Sequence, residues 1–220
     1  MKHHAVWGTF LGLVAASAAA PAPIVHEAAP VEAFAWPDAI TLEVDALGTE
    51  PLAVDDFADA LAWLLGRHVT VVDVARHAAM EGSHADLAAV VAGHDATVHL
   101  LLRNGTHWVG GQPASGLAYI GERQAWLFPD ALRLRAEQAE RMDELDLLTR
   151  VVATHEAGHV VGLVGCGLGD RGHGCHSENT TSIMHAHVAR MDDWPVGEGP
   201  LGPFGWDADD LADVASVRLR

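Results

Sequence analysis

The chain of 220 residues contains 30 acidic and 13 basic residues, which gives a net charge of −17, and half of its residues are hydrophobic. This length suffices for one domain or two small lobes, and the composition is that of a globular protein. Because a chain this acidic is a poor candidate for binding nucleic acid or an anionic membrane through general electrostatics, we expect no nucleic-acid partner.

The N-terminal residues have the pattern of a secretory signal peptide. Lys2 precedes an apolar run over 5–16 that is too short to span a bilayer, and small residues at Ser17 and Ala19 mark a cleavage site after Ala19. We therefore predict a signal peptide over 1–19, a disordered leader rich in Ala and Pro over 20–37, and one domain over 38–220. The mature protein is expected to be secreted or periplasmic, without stable membrane insertion.

The first part of the domain alternates strand and helix patterns. Residues 40–44 alternate apolar and polar side chains, which is typical of a half-buried strand. Asp55 or Asp56 is the predicted cap of a helix that ends at Gly66. Further patterns predict, in chain order, a strand at 68–74, a helix at 86–91 capped by Ser83, a strand at 97–102, a loop at 104–116, strands at 117–120 and 124–128, and a long helix from Ala131 or Asp143 to Gly162.

The rest of the chain is mostly irregular. Residues 163–206 are rich in Gly and Pro, and a terminal helix capped by Asp is predicted over 207–219. This order of elements predicts an α+β fold. It consists of a mixed twisted sheet with helices in an N-terminal lobe (about 38–164) and an irregular C-terminal lobe (about 165–220).

The predicted long helix contains the sequence HEAGH at 155–159. His155 and His159 are four residues apart, so their rings project from one helix face and suit two nitrogen ligands of one Zn²⁺. Glu156 is placed to hold a metal-bound water and to accept its proton. Fifteen histidines raise the chance of an accidental motif, so a helix with two solvated histidines and a surface glutamate remains an alternative.

Residues 155–163, HEAGHVVGL, and a later Ser182-Ile183-Met184 together resemble the metzincin clan of zinc metallopeptidases. In that clan's motif, HExxHxxGxxH/D, the third ligand comes three residues after the glycine, and here that position is Gly165. Residues 176–184, HSENTTSIM, resemble the segment from the third histidine to the Met-turn in the matrixin-like branch. The resemblance implies a small secreted peptidase, matrixin-like or archaemetzincin-like, with a zincin fold and an insertion over 165–175.

In this resemblance His176 is the third ligand of one catalytic Zn²⁺, and Met184 forms an apolar floor beneath the metal-binding histidines. His173 is the fallback ligand, and a Cys166 thiolate or an Asp170 carboxylate is a further alternative.

Cys166 and Cys175 are the only cysteines, and export to an oxidising compartment favours a disulfide between them. Such a bond would close off the insertion and return His176 to the place of the ordinary third ligand. Two free thiols or two zinc thiolates are the alternatives.

Two further stretches resemble the same clan. Gly116-Leu117-Ala118-Tyr119 resembles the clan's edge strand, which lies above the substrate cleft and binds an extended peptide by β-augmentation. An ordinary edge strand is the alternative for these residues. The start of the matrixin-type C-terminal helix is similar to residues 206–214.

These patterns lead to one preferred function and two alternatives. The preferred function is a secreted zinc endopeptidase that acts on peptide or protein substrates, with Glu156 as general base and then proton donor. A gluzincin-like zinc hydrolase would take Glu178 as its third ligand. A catalytically silent secreted zinc-binding protein would explain Gly165 and the abundant histidines, but it has no need of Glu156.

Overall fold

The computed structural model describes residues 36–77, 96–105, 107–109, 112–119, 123–163, 176–194, 200–202 and 204–218. The strands are β1 (Ala39–Leu47), β2 (His68–His77), β3 (Val98–Arg103), β4 (His107–Val109), β5 (Gln112–Ala114), β6 (Gly116–Tyr119) and β7 (Gln124–Leu127). The α-helices are α1 (Val54–Leu65), α2 (Pro129–Gln138), α3 (Leu145–Val161) and α4 (Ala208–Arg218), and short 3₁₀ turns cover Met142–Glu144 and Met191–Asp193. The predicted signal peptide, most of the leader and the predicted helix at 86–91 lie outside these residues.

Five strands form one mixed sheet in the order β2-β1-β3-β7-β6. The pairs β1–β2, β1–β3 and β3–β7 are parallel, and β6 runs antiparallel to β7. The predicted mixed sheet with packed helices is therefore confirmed. Within the described residues β6 is the outer strand, so one side of its backbone has no strand partner in this sheet.

The main hydrophobic core lies between one face of this sheet and helices α1 and α3. Leu42 and Leu100 on the sheet, Leu61 on α1 and Val152 on α3 all belong to this cluster and are almost completely buried. A smaller cluster around Trp126 and other apolar side chains covers part of the opposite face. Helix α3 is buried at thirteen of its residues, so it is an internal element of the fold.

The prediction of a half-buried first strand is wrong. Glu43 and Asp45, on the face opposite Leu42 and Val44, are only 8% and 2% exposed. Strand β1 lies between β2 and β3 in the interior of the sheet, where both faces of a parallel strand are commonly covered. The alternating sequence therefore does not mark a solvent-facing side.

The structure confirms the predicted C-terminal end of α1 but not its predicted N-cap. Gly66 ends the helix in the left-handed conformation at φ 62°, which glycine adopts without steric cost. The N-cap is Ala53, without a side-chain hydrogen bond, and neither predicted aspartate caps the helix. Asp55 and Asp56 lie in the first turn, where their charges interact favourably with the helix dipole. Asp56 also accepts a 2.9 Å hydrogen bond from Nε of Arg150 on α3.

Two other predictions need correction. The predicted loop at 104–116 contains the antiparallel strands β4 and β5, whose ends are separated in sequence by Gly110 and Gly111. A Gly-Gly pair between two extended segments is typical of a hairpin, so glycine content alone does not distinguish such a connection from a longer loop. Of the two predicted starts of the long helix, Asp143 is close to the observed one, because α3 follows the turn Met142–Glu144, and Ala131 is wrong. Ala131 belongs to the separate helix α2, which the chain leaves through Glu140 at a positive φ of 55°.

The described residues of the C-terminal part, within 176–218, contain no named strand; Ile183 and Met184 join the main core, and side-chain hydrogen bonds link the neighbouring segments. Helix α4 is capped by Asp207, as predicted, because its Oδ1 accepts hydrogen bonds from the N–H groups of Asp209 and Asp210 at 2.9 and 2.8 Å. Among the described residues, none of the helices is long and apolar enough to cross a membrane.

Candidate metal centre

Helix α3 presents two imidazoles from its last two turns. His155 and His159 are both buried, with 5% and 6% exposure, and their ring centroids are 4.6 Å apart. Gly162 ends the helix directly afterwards at φ 85°. The helix therefore fixes two nitrogen donors one turn apart, close to the point where the chain leaves the core.

A third imidazole reaches the same place from a distant part of the chain. The Nε2 atom of His159 lies 3.0 Å from Nε2 of His155 and 3.3 Å from Nε2 of His176. These three residues are the one group of potential metal ligands found among the described residues. Nitrogens bound to one tetrahedral zinc at 2.0–2.1 Å lie about 3.3–3.4 Å apart, so the observed donor set fits a zinc ion.

A backbone carbonyl orients His155 for binding through Nε2. Its Nδ1 lies 2.8 Å from the carbonyl oxygen of Ile183. Because a carbonyl oxygen can only accept, Nδ1 must carry the hydrogen and donate, which leaves the lone pair on Nε2. An imidazole held in this way by its other nitrogen is the usual arrangement of a metal-binding histidine.

Both helix imidazoles are held in the neutral form that metal binding needs. Burial lowers the pKa of His155 to about 3, and the charge of His176 adds to this effect. Burial, followed by the charges of His155 and His176, holds the pKa of His159 well below its ordinary value. The two rings are therefore unprotonated at neutral pH, so no proton competes there with a metal ion.

Glu156 is a buried carboxyl group with an unsatisfied oxygen. It is 5% exposed, and its Oε2 has no hydrogen-bond partner among the described residues. Burial raises its pKa to about 8. Because burial of an unpaired carboxylate is strongly unfavourable, this position next to the imidazole cluster fits a group whose charge a bound cation would compensate.

Two glycines make room for these side chains. A Cβ atom on Gly116, the first residue of β6, would lie 2.3 Å from Oε1 of Glu156. A Cβ atom on Gly158 would lie 2.4 Å from Sδ of Met184, which is fully buried. Met184 thus packs on α3 at Gly158, which lies between the two histidines in the sequence. The sequence alone did not reveal that these two positions require glycine, because both depend on contacts between distant segments.

The helix, the outer strand and the C-terminal part border an open cavity of about 440 Å³. The three imidazoles and Glu156 lie in its wall, together with residues 113–118 and 186–190. The predicted residues Gly116, Leu117 and Ala118 therefore border the same space as the histidines. Tyr119 continues the strand, and its pairing with Gln124 completes the register of β6 against β7.

Of the other predicted metal ligands, only Glu178 lies within the described residues. Glu178, the gluzincin-type alternative, is exposed and does not belong to the three-histidine group. His173, Cys166, Cys175 and Asp170 lie outside the described residues. The fallback ligand, the disulfide and the insertion therefore stay predictions.

Sequence reasoning missed two arginines of the cavity wall, Arg135 on α2 and Arg190 after the turn that contains Met184. They are separated by 55 positions in the sequence, and no local pattern links them. Only the packing of α2 beside residues 186–190 brings them to one cavity.

Comparison with known proteins gives a likeness of fold. No protein-family model and no curated protein sequence matches the chain. An archaemetzincin from Methanopyrus kandleri matches 83% of this chain and 97% of its own, with 18% identity and a TM-score of 0.56. A zinc-dependent peptidase from Methanocorpusculum labreanum matches 79% of this chain and 99% of its own, with 15% identity and a TM-score of 0.51. The chain therefore shares the fold of these two proteins.

Proposed function

We propose that this chain is an exported zinc-dependent endopeptidase that cleaves peptide or protein substrates. The observation that carries the proposal is the convergence of His155, His159 and His176 at zinc-binding spacing. Beside them lies the buried Glu156, whose Oε2 has no hydrogen-bond partner among the described residues. The fold adds support, because the two similar structures are an archaemetzincin and a zinc-dependent peptidase.

In this proposal the three imidazoles would hold one Zn²⁺ through their Nε2 atoms, and Met184 would form an apolar support beneath them. The ion would supply Lewis-acid chemistry, polarising the substrate carbonyl and lowering the pKa of water towards 7. The carbonyl of Ile183 keeps His155 in the tautomer that presents its lone pair to the metal. The protein thus supplies a rigid donor set that needs little rearrangement on metal binding.

Glu156 moves the proton. Its carboxylate accepts a proton from the attacking water and then donates that proton to the nitrogen of the leaving amine. Burial raises its pKa to about 8, which favours the protonated form, whereas a nearby dication favours the carboxylate. These opposing effects suit a group that has to accept and release a proton in one turnover.

Strand β6 is the proposed support for an extended substrate. It is the outer strand of the described sheet, and its residues Gly116–Ala118 border the cavity. A peptide that adds to this edge would be held by backbone hydrogen bonds independent of its sequence. Gly116 then has a second role, because the absence of a side chain lets the strand pass close to Glu156.

Export and the cysteine pair belong to the same proposal. We expect cleavage after Ala19 and a disulfide between Cys166 and Cys175 that closes the insertion before His176. Mass spectrometry of the exported protein tests both. The expected result is a chain starting at Ala20 whose peptides around 166–175 gain the mass of two hydrogens on reduction, and two free thiols would contradict the disulfide.

The direct test of function compares the chain lacking residues 1–19 with its Glu156→Gln variant. We expect both to bind about one zinc per chain and only the parent to cleave an unfolded protein. Loss of the base typically reduces such rates by at least about 10²-fold. If both bind zinc and neither cleaves, the catalytically silent binding protein replaces the peptidase.

Two alanine variants test whether His176 is the third zinc ligand. His176→Ala should lose zinc at concentrations where the parent is saturated, and His173→Ala should retain it. The two variants remove the same side chain only three positions apart, so each is the matched control of the other. The reverse result would assign the ligand to His173.

A further inference from the structure

Two arginines line the cavity that contains the candidate metal centre. Arg135 lies on α2 and Arg190 follows the turn of Met184, and both lie in the cavity wall. Other arginines are paired with carboxylates: Arg133 with Asp130, Arg141 with Glu144, and Arg150 with Asp56. Within the described part of the chain, neither cavity arginine forms such a pair.

One hydrogen bond holds the Arg135 side chain in place, but another of its donors has no acceptor among the described residues. Its Nη2 donates a 2.8 Å hydrogen bond to the carbonyl oxygen of Pro113 on β5. Its Nε is buried and has no acceptor among the described residues. A buried donor without an acceptor is destabilising, so this geometry favours the arrival of an acceptor from outside the chain.

The two arginines also repel each other. Burial, and then the positive charge of Arg190, lower the pKa of Arg135. Two cations on one cavity, neither with an ion-pair partner among the described residues, are an unfavourable local arrangement unless an anion joins them. Most of the nearby wall is apolar, including Leu117, Val152 and Val188, so the charge contrast within the cavity is strong.

We propose that Arg135 and Arg190 form a subsite that binds a carboxylate of the peptide substrate, beside the metal centre. The proposal rests on the peptidase function, because it deepens the specificity of that same cavity. Carboxylates are the common anions of peptides, and guanidinium groups bind them through paired, charge-assisted hydrogen bonds. The carboxylate comes either from an Asp or Glu side chain near the scissile bond or from the C-terminus of the peptide.

Cleavage of matched peptides tests the proposal. Peptides that differ by Glu or Gln at each position flanking the cut are prepared with a free or an amidated C-terminus. We expect kcat/KM to be about 10- to 100-fold higher for the peptide with the correct carboxylate, as for hydrogen bonds to charged groups. A Glu-over-Gln preference identifies a side chain, and a preference for the free C-terminus identifies the terminal carboxylate.

Arg190→Gln and Arg135→Gln should each reduce this preference to near unity. Arg190 is exposed, so its replacement is not expected to disturb folding even if loss of the Arg135–Pro113 bond does. Arg133→Gln is the control, because it makes the same change on α2 at an exposed side chain and should preserve the preference. A parent without any carboxylate preference, or a preference that survives in both cavity variants, would overturn the proposal.

A binding experiment separates this proposal from the peptidase function. The affinity of the same peptides for the zinc-loaded Glu156→Gln variant, which is expected to bind without cleaving, is measured by fluorescence anisotropy. If carboxylate peptides bind through the two arginines but the zinc-loaded parent cleaves none of them, the subsite stands and the peptidase function fails. If peptides are cleaved without any carboxylate preference, the function stands and the subsite fails.

Discussion

The two parts of the chain that supply the candidate ligands are held together in different ways. Residues 36–163 pack their regular elements around an apolar core, and this core places His155 and His159 on α3. The described residues of 176–218 add Ile183 and Met184 to the same core, and side-chain hydrogen bonds also hold the segment that delivers His176. The first part thus offers two ligands on a buried helix, and the second a ligand whose segment is held by polar contacts in addition to apolar packing.

The polar contacts of the second part converge on the residues next to the ligand. Ser177, which directly follows His176, donates through its Oγ to Oδ2 of Asp207 at 3.0 Å. Ser182 is fully buried, and its Oγ donates to Oδ2 of Asp210 at 2.7 Å. Helix α4 therefore holds both sides of the segment that runs from His176 to Met184. We infer that changes here alter metal affinity more than they alter the stability of the sheet.

The largest expected effect concerns the apolar part. Leu61→Ala removes a fully buried side chain from the main core, so the free energy of unfolding of the zinc-free chain should fall by about 2–5 kcal/mol. Urea denaturation measures the change. Leu134→Ala, at a site 39% exposed, should cost under about 0.5 kcal/mol. Equal losses in both variants would show that the core does not carry the stability.

The polar part is tested by Asp210→Ala. The variant loses the acceptor for Ser182 and for the backbone N–H of Asp207, so the turn before Met184 is less firmly held. We expect zinc affinity to fall by about tenfold, as for other residues that support ligands, with the circular dichroism of the sheet unchanged. Asp59→Ala makes the same charge change on the exposed side of α1 and should leave zinc affinity unaltered. Equal zinc affinities of Asp210→Ala and the parent would contradict this account of α4.

The contact between the strand and the general base is tested by Gly116→Ala. The added methyl group would overlap the carboxyl of Glu156, which must then move. Because a misplaced catalytic group commonly costs an order of magnitude or more, we expect activity to fall at least about tenfold with zinc content retained. Gly205→Ala places a methyl group where no atom lies within 4 Å and serves as the control. Full activity in Gly116→Ala would mean that Glu156 tolerates displacement.

The smallest expected effect is on the pH dependence of the zinc-free chain. Burial raises the pKa of Glu156 from 4.5 to about 8, so its contribution to stability is present below pH 4.5 and lost as the pH rises through 8. His155, with its pKa lowered from 6.5 to about 3, contributes above pH 6.5 and loses this contribution as the pH falls towards 3. Urea midpoints in the presence of a chelator should decline less steeply from pH 4.5 to 8 in Glu156→Gln. Identical slopes in parent and variant would argue against a buried, protonated Glu156.

Local signals in the sequence predicted much of the regular structure. Gly66 and Gly162 end helices as expected, because a left-handed residue is a requirement of the adjacent backbone alone. The spacing of His155 and His159 likewise follows from helix geometry. The proximity of His176 to them is a tertiary feature, and it was anticipated through family resemblance rather than from spacing.

The features that were missed depend on neighbours distant in sequence. The burial of Glu43 and Asp45 follows from the position of β1 between two strands, which alternation within one strand does not reveal. The convergence of Arg135 and Arg190 depends on how α2 packs beside the C-terminal part. Charge counts along the chain could not distinguish these two arginines from those paired with carboxylates.

X-ray absorption at the zinc edge of the chain loaded with one zinc tests the central claim most directly. If three imidazoles from both parts of the chain bind the zinc, the ion should be surrounded by nitrogen and oxygen atoms at about 2.0–2.1 Å, without sulfur. A sulfur scatterer at about 2.3 Å would contradict the account, because a cysteine thiolate from 166 or 175 would then replace His176 as the third ligand.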